Sequence, residues 1–503
     1  MLRRAARFPV ICFPHPHGPV QKHAVGLPAL TAGWPLSRPG PAGQLPSGPL
    51  PTGSAEVRAQ LRHLLRSDAE SQPAADHLLG LKAGPAVRAF YAAPHNDAAY
   101  WVAETGWTPR AHEALRLLAQ ATDLGLPPAR YGSPDLPRLP DSLRATATAN
   151  PLGRAELRLT DALLRYLSDL QRGHLIAGTL TPLLTTDSLA APAAAQQLHQ
   201  ALDAPNLSRA LLALQPPARA YRLLQTAWQR ALHASPLDSV RLMADTTAGF
   251  RRVALNLERL RWAAPTDSEY VVVNIPAYRL QVLKNEQVVL SQRVVVGKPE
   301  FATPTISSRI GVFVVAPEWR VPYSIAVREF LPELQRDPAY LADHHYRLYD
   351  GRGRLLNPWN INWKKITPET FVYAIRQRAG SYNALGNVVF YFSNRHAVFL
   401  HDTPSRNAFK RPERALSHGC VRVETPLKLA DYLLRREGRA RELPAMYRSI
   451  QAHQTQTYEL RRSLPIYLRY YTCETDNGRL VFLPDIYSRD AQLAAALFAG
   501  LGQ

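Results

Sequence analysis

Between Ser54 and about Ala263 the apolar positions return every three or four residues, the spacing that lines one face of an amphipathic helix. In "TPRAHEALRLLAQATDLG", Thr108 stands where an N-cap belongs and Pro109 suits the first helical position. Leu115, Leu118 and Leu124 form the stripe, and Gly125 is the expected stop. "RAELRLTDALLRYLSDLQRG" repeats the arrangement, with Leu157, Leu164 and Leu167 on one face and Gly173 at the end. Nothing in these stretches gathers reactive side chains, so they read as a packing scaffold.

The period changes after "NLERLRWAAP". "YVVVNI" predicts a strand, and "YRLQVLKNEQVVLSQRVVVG" predicts a hairpin around the polar residues 284–287. "IGVFVVA", "VVFYF" and "AVFL" add three strands, "PLKLADYLLRR" a helix, and "LPIYLRYY" followed by "RLVFLPDIY" a late β pair. Residues 317–386 bring Trp319, Trp359, Trp363 and several prolines between these strands, which predicts a lobe inserted into the β domain. Residues 1–53 are rich in Pro and Gly and predict a disordered leader. The expected architecture is multidomain α+β. A helical domain (54–264) precedes a mostly-β domain (265–440, with the lobe at 317–386) and a C-terminal segment (441–503) that packs on it.

Composition narrows the setting. A chain of 503 residues with 46% hydrophobic content can bury two or three cores. No run approaches the ~18 uninterrupted apolar residues of a bilayer span, so no integral membrane segment is expected. A net charge of +20 favours anionic surroundings: nucleic acid, lipid headgroups or a cell-wall polymer. Basic runs interleaved with aromatics are missing, as is any nucleic-acid motif, which sets nucleic acid aside. The start, "MLRRAARFPVICFPHPHGPV", is basic but its apolar run is short, a poor match to a secretory signal. Cysteine is scarce: Cys12, Cys420 and Cys473 form no Cys-x-x-Cys pair and no disulfide framework.

One of the three cysteines closes the stretch "HDTPSRNAFKRPERALSHGC", residues 401–420. Three readings compete there. A zinc clip would use Cys420, His418 and His401, but a second Cys/His pair is lacking, and His396 is the only other histidine of that region. A lone thiol can also be an inert buried group beside two surface histidines. As a nucleophile, the thiol needs a base or a cation to bring down its pKa of about 8.5. His401 closes the strand "AVFLH", with Asp402 adjacent to orient its imidazole. Gly419 permits a tight turn whose N–H groups can face an oxyanion, and Arg422 offers a fixed charge to a substrate carboxylate.

The block "HDTPSRNAFKRPERALSHGCVRV" closely resembles the signature of L,D-transpeptidases with a YkuD-type catalytic domain. "VVVNIPAYRLQV", "PTISSRIGVFVVAPEWRVPYSIA", "RQRAGSYNALGNVVFYFSN" and "PDIYSRD" are similar to the large YcbB-like branch. So is "AFYAAPHNDAAYWV" in the helical half, which is similar to that branch's scaffold domain. The resemblance implies Cys420 as acylated nucleophile, His401 as general base and Asp402 holding the imidazole through its backbone. His418 and Gly419 would build the turn, with N–H groups near Gly419 and Cys420 as oxyanion hole. Ser417, Arg422, Trp319, Tyr323 and Asn383 would serve substrate binding, and residues 317–386 would be the capping lobe. It implies no metal and no organic cofactor. The partners would be peptidoglycan stem peptides, a donor tetrapeptide and an amine acceptor, in the periplasm or cell envelope. Many relatives carry a small peptidoglycan-binding module before "NLERLRW" that this sequence does not show. A hydrolase using the same thiol, or a wall-binding protein without activity, are the alternatives.

Overall fold

The structure, a computed structural model, describes residues 55–65, 72–92, 98–132, 135–145, 150–186, 190–234 and 246–501. The predicted leader lies outside the described residues.

The helical half is built from α1 (Ala55–Leu65), α2 (Gly84–Phe90), α3 (Pro109–Ala119), α4 (Pro151–Arg172), α5 (Ala190–Asp203), α6 (Arg219–His233) and α7 (Thr246–Ala263), with shorter turns between them. Helix α4 is its axis. Leu157, Leu164 and Leu167 are buried there, and so are residues around the rest of its circumference, as in a helix enclosed by others. Thr108 caps α3 by accepting the Ala111 N–H at 3.2 Å. That helix stops at Ala119, earlier than the stripe predicts, and a tighter turn over 121–124 carries the chain to Gly125. Gly125 has φ 65°, and a Cβ there would lie 2.6 Å from Leu257 of α7, so both backbone and packing require glycine.

Glu156 of α4 is fully buried yet completely engaged. It accepts the backbone N–H groups of Tyr100, Trp101 and Val102 at 2.6 to 2.9 Å and the Tyr91 hydroxyl at 2.9 Å. Burial lifts its carboxyl to about 7, against the pull of those donors.

The β half has thirteen of its strands in two sheets that bear on the site. β1 (Glu269–Asn274), β2 (Arg279–Lys284) and β3 (Gln287–Gly297) follow one another. The β2–β3 turn is the two-residue pair Asn285 and Glu286, both at positive φ (47° and 64°), as a hairpin matched to strand twist requires. β4 (Ile306–Val315) leads into the lobe, whose own sheet holds β5 (Trp319–Arg320), β6 (Tyr346–Tyr349), β7 (Leu355–Leu356) and β8 (Ala374–Gln377) in the order β5-β8-β6-β7. The lobe has a separate core of Phe330, Leu334, Leu348, Trp363, Phe371 and Ile375. After it come β9 (Val388–Phe392), β10 (Leu400–His401), β11 (Ala415–Ser417) and β12 (Val421–Val423), then β13 (Gln456–Arg469).

The main sheet runs β11-β3-β12-β10-β9-β4-β13-β1-β2, and β3 also pairs with β2, so the ladder closes on itself. Val271, Val273, Ile310, Phe313, Phe390, Leu400 and Ile466 fill its interior, and helix α8 (Pro426–Arg436) adds Leu429 and Leu433.

Two expectations change here. "LPIYLRYY" and "RLVFLPDIY" do not pair with each other. The first is the end of β13, which sits between β4 and β1 because Leu464, Ile466 and Leu468 alternate inward. The second supplies β15 (Arg479–Phe482), which pairs with β14 (Cys473–Asp476) across the Asn477-Gly478 turn. The segment expected to pack on the β domain thus provides a strand from inside its sheet. It also joins the two halves: Asn256 of α7 exchanges hydrogen bonds with Thr472 (2.8 and 3.0 Å), and Arg259 pairs with Asp490 of helix α9 (Arg489–Leu497) at 2.7 Å.

Candidate active site

Alternation in three neighbouring strands creates the site. β10 runs parallel to β12 with Leu400 opposite Val421 and His401 opposite Arg422. β9 runs antiparallel on the other side, with Val389 opposite His401 and Phe390 opposite Leu400. Leu400, Val421, Val423 and Phe390 point into the barrel core. Successive side chains leave a strand on opposite faces, so Tyr391, Phe399, His401, Cys420 and Arg422 share the other face. The Phe399 and His401 rings lie 5.7 Å apart and those of Phe399 and Tyr391 5.6 Å, which fixes that row. His401 and Cys420 are diagonal neighbours on adjacent strands, a separation of about 7–8 Å between backbones that long side chains can bridge.

The chain reaches Cys420 through a clamped turn. Ser417, 2% exposed, donates its hydroxyl to the Cys420 carbonyl at 2.5 Å and accepts the Gly419 N–H at 3.2 Å. Gly419 has φ 113°, a conformation open to glycine and strained for other residues. Its carbonyl accepts the Thr303 hydroxyl at 2.8 Å, and Thr303 in turn accepts the Gly297 N–H at 2.9 Å. Two assignments shift as a result. Ser417 is consumed inside the turn and presents nothing to a substrate. The Gly419 N–H is also spent on Ser417, so it is not an oxyanion donor; among the described residues the Cys420 N–H is the turn amide next to the thiol without a partner.

His401 is buried, and its Nδ1 lies 2.5 Å from the Asp402 carbonyl. That contact, with one to the Ala384 backbone, holds the ring in place. The Asp402 carboxylate faces elsewhere, accepting the Asn387 N–H at 2.8 Å and pairing with Arg406 at 2.5 Å. Gly386 makes room for it, since a Cβ there would lie 2.5 Å from the Asp402 side chain.

The electrostatics overturn the expectation of a thiol held low by its neighbours. Burial pushes the Cys420 thiol up to about 11; the Phe399 backbone and the Arg422 charge pull the other way but lose. Burial, then the Arg422 charge, pushes His401 down to about 3, against its contacts with the Asp402 and Ala384 backbone. Both groups are therefore neutral at pH 7. The thiol's contacts are the Phe399 backbone and the Ala397 carbonyl, the latter at 3.8 Å. Arg422 shares the face and has no ion-pair partner among the described residues.

The remaining candidates separate. His418 turns away from the thiol. Its Nε2 lies 2.6 Å from Glu329 of the lobe and its ring 5.0 Å from Phe301, so the zinc clip loses a ligand. Trp319 packs within the lobe, 6.0 Å from Tyr346, and exposed Tyr323 bonds the Pro368 carbonyl. Asn383 is a correction: its side chain is wholly buried. It donates to the carbonyls of Pro317, Gln377 and Arg378 and so ties together the two chain segments that enter and leave the lobe. Two residues were missed. Tyr391 is partly exposed on the reactive face and close enough for the Cys420 charge to act on it; the alternation in "VVFYF" carried that signal. Glu329 gave no local signal, because its partner lies far along the chain.

Comparison with known proteins identifies two domain families in the chain. Residues 268–444 match the model of the L,D-transpeptidase catalytic domain, YkuD, and residues 85–227 match that of the Scaffold domain. A curated Haemophilus influenzae protein named "Putative L,D-transpeptidase" is 37% identical over 246 residues, 49% of either chain, so the match spans about half of that relative's length. A solved L,D-transpeptidase from Mycobacterium smegmatis aligns over 40% of this chain and 58% of its own, at 13% identity and a TM-score of 0.21, too slight a likeness to add to the fold.

Proposed function

For a chain that carries a YkuD L,D-transpeptidase catalytic domain and a Scaffold domain, we propose an acyl transfer through Cys420 that forms 3→3 cross-links in peptidoglycan. The observation that carries this reading is the single strand face presenting a neutral thiol, a neutral buried imidazole, and a guanidinium without an ion-pair partner among the described residues.

The neutral pair fixes the order of proton movements. A donor stem tetrapeptide places the carbonyl of the L-centre of diaminopimelate against Sγ, with a carboxylate on Arg422. As the S–C bond forms, the thiol proton passes to His401 Nε2 and the carbonyl oxygen becomes an oxyanion at the Cys420 N–H. Collapse breaks the amide bond; D-alanine leaves as the amine, taking the proton from the imidazolium. An amine of a second stem then attacks the thioester. It yields a proton to His401, which returns it to the departing sulfur. Asp402 holds the ring through both steps by its carbonyl, which stabilises the imidazolium as it forms.

The second step needs water kept away so that the amine wins. The Glu329–His418 contact brings the lobe onto the turn that carries Cys420, and this supports the lobe as the cover of the thioester. No metal or organic cofactor enters the scheme. The substrate places the protein in the cell envelope, where its +20 charge suits an anionic polymer.

The test is mass spectrometry of muropeptides produced by the purified protein from tetrapeptide stems, with and without an acceptor. Cross-linked dimers lacking one D-alanine support transpeptidation. Tripeptide monomers alone would show a hydrolase using the same thiol, and unchanged stems would leave a binding protein.

A further inference from the structure

A cavity of about 490 Å³ lies where the two halves meet, lined by none of the residues of the reactive face. Its walls come from residues 177–180 of the helical half, the end of α7, residues 305–307 at the start of β4, the end of β13 and the start of α9. Leu180, Ala263 and Leu493 make part of the wall apolar, and half-buried Trp262 lies beside them. Three guanidinium groups line the rest: Arg259, Arg469 and Arg489.

The charge in this cavity is not balanced. Arg259 has a carboxylate partner in Asp490. Arg469, only 7% exposed, reaches neutral oxygens: the carbonyls of Ala263, Ile306 and Leu468 and the hydroxyls of Ser307 and Tyr471. Arg489 rests its guanidinium against the rings of Tyr470 and Tyr487 at 4.9 and 5.3 Å. Among the described residues neither Arg469 nor Arg489 has an acidic partner. Buried cations are ordinarily paired, so the buried Arg469, with half-exposed Arg489 beside it on a cavity of ligand size, points to an anion from outside.

We propose that this cavity binds the free carboxylates of a short acidic peptide of the cell-wall stem type, as a tethering site separate from the catalytic one. A peptide of two or three residues fills such a volume. Its carboxylates meet Arg489 in the field of the buried Arg469, Gln492 at the rim can bond an amide, and the apolar wall takes the aliphatic side chains. Such a site gives the protein a second hold on the wall. The choice of peptide rests on the proposed function; the anion site itself does not.

The test uses the full chain with Cys420→Ala, so that no acylation occurs, and titrates a synthetic stem tetrapeptide calorimetrically. Two peptides per chain are expected. Adding Arg489→Gln should weaken one site about tenfold, the worth of a charged hydrogen bond, and leave the other unchanged. Adding Arg422→Gln instead should weaken the other site. Should Arg489→Gln fail to fold, Gln492→Glu on the exposed rim places a like charge at the same mouth and should lower the same affinity. A tetrapeptide with its carboxylates amidated should lose the cavity site. One site, insensitive to Arg489→Gln and Gln492→Glu, would overturn the proposal. Loss of only the Arg422-dependent site would instead count against the proposed function and leave this one standing.

Discussion

Glu156 in the helical half and the His401–Cys420 face in the β half are both buried and titratable, and they are finished differently. Every strong donor around Glu156 is used: three backbone N–H groups and a tyrosine hydroxyl converge on one carboxylate. On the β face the polar groups are left short. His401 rests on the Asp402 and Ala384 backbone, Cys420 has the Phe399 backbone and a carbonyl at 3.8 Å, and Arg422 has no ion-pair partner among the described residues. A complete hydrogen-bond set holds a backbone in place, whereas an incomplete one waits for a substrate. Burial depth does not distinguish the two; satisfaction does.

The comparison breaks most visibly at the nucleophile. Cys420→Ala should abolish acylation, while Cys473→Ala and Cys12→Ala should keep it, as read by intact mass after incubation with donor peptide. A carbapenem should add one drug mass to the native protein and none to the Cys420 variant.

Glu156→Ala should act on the other side. It strands three buried N–H groups, at about 1–3 kcal/mol each, so urea melts should show a loss of several kcal/mol with acylation per folded molecule unchanged. A drop in activity without a drop in stability would merge the two regions that this account separates.

His401→Ala should slow acylation on the order of a hundredfold or more, the usual worth of a general base. His418→Ala should cost less in that step, because its partner is the lobe and not the thiol.

The pH dependence of stability sharpens the contrast further. His401 is lowered in the fold from 6.5 to about 3, so only the unfolded chain takes its proton in that window. Its contribution therefore rises with pH from about 3 to 6.5 and is flat above. Glu156 is raised from 4.5 to about 7, so its contribution falls as pH climbs through that range. Melting temperatures across this window should lose the rising part in His401→Gln and the falling part in Glu156→Gln.

The smallest effect belongs to the lobe. Trp319→Ala should loosen its packing against Tyr346 and raise the share of hydrolysed over cross-linked product more than it slows acylation. An unchanged ratio in a folded variant would leave the lobe as structure alone.

Much of this was legible in the sequence because it is local. The Thr108 cap, the α4 stripe, the Asn285-Glu286 turn and the Ser-His-Gly-Cys turn each depend on residues close together along the chain. What escaped depends on distant partners. β13 enters the centre of the sheet because β4 and β1 leave it a place, which "LPIYLRYY" alone cannot announce. Asn383 looks like any loop amide until Pro317 and Arg378 close around it, and His418 shows no link to the lobe until Glu329 arrives. The neutral state of the thiol and imidazole likewise follows from burial, a property of the assembled face.

The most direct measurement is the intact mass of the protein during turnover of a stem tetrapeptide, followed by peptide mapping of the adduct. The account predicts a transient gain equal to the donor less D-alanine, located on Cys420, that decays on addition of an amine acceptor as cross-linked dimer appears. Product formed without any adduct on Cys420, or an adduct mapped to another residue, would contradict it.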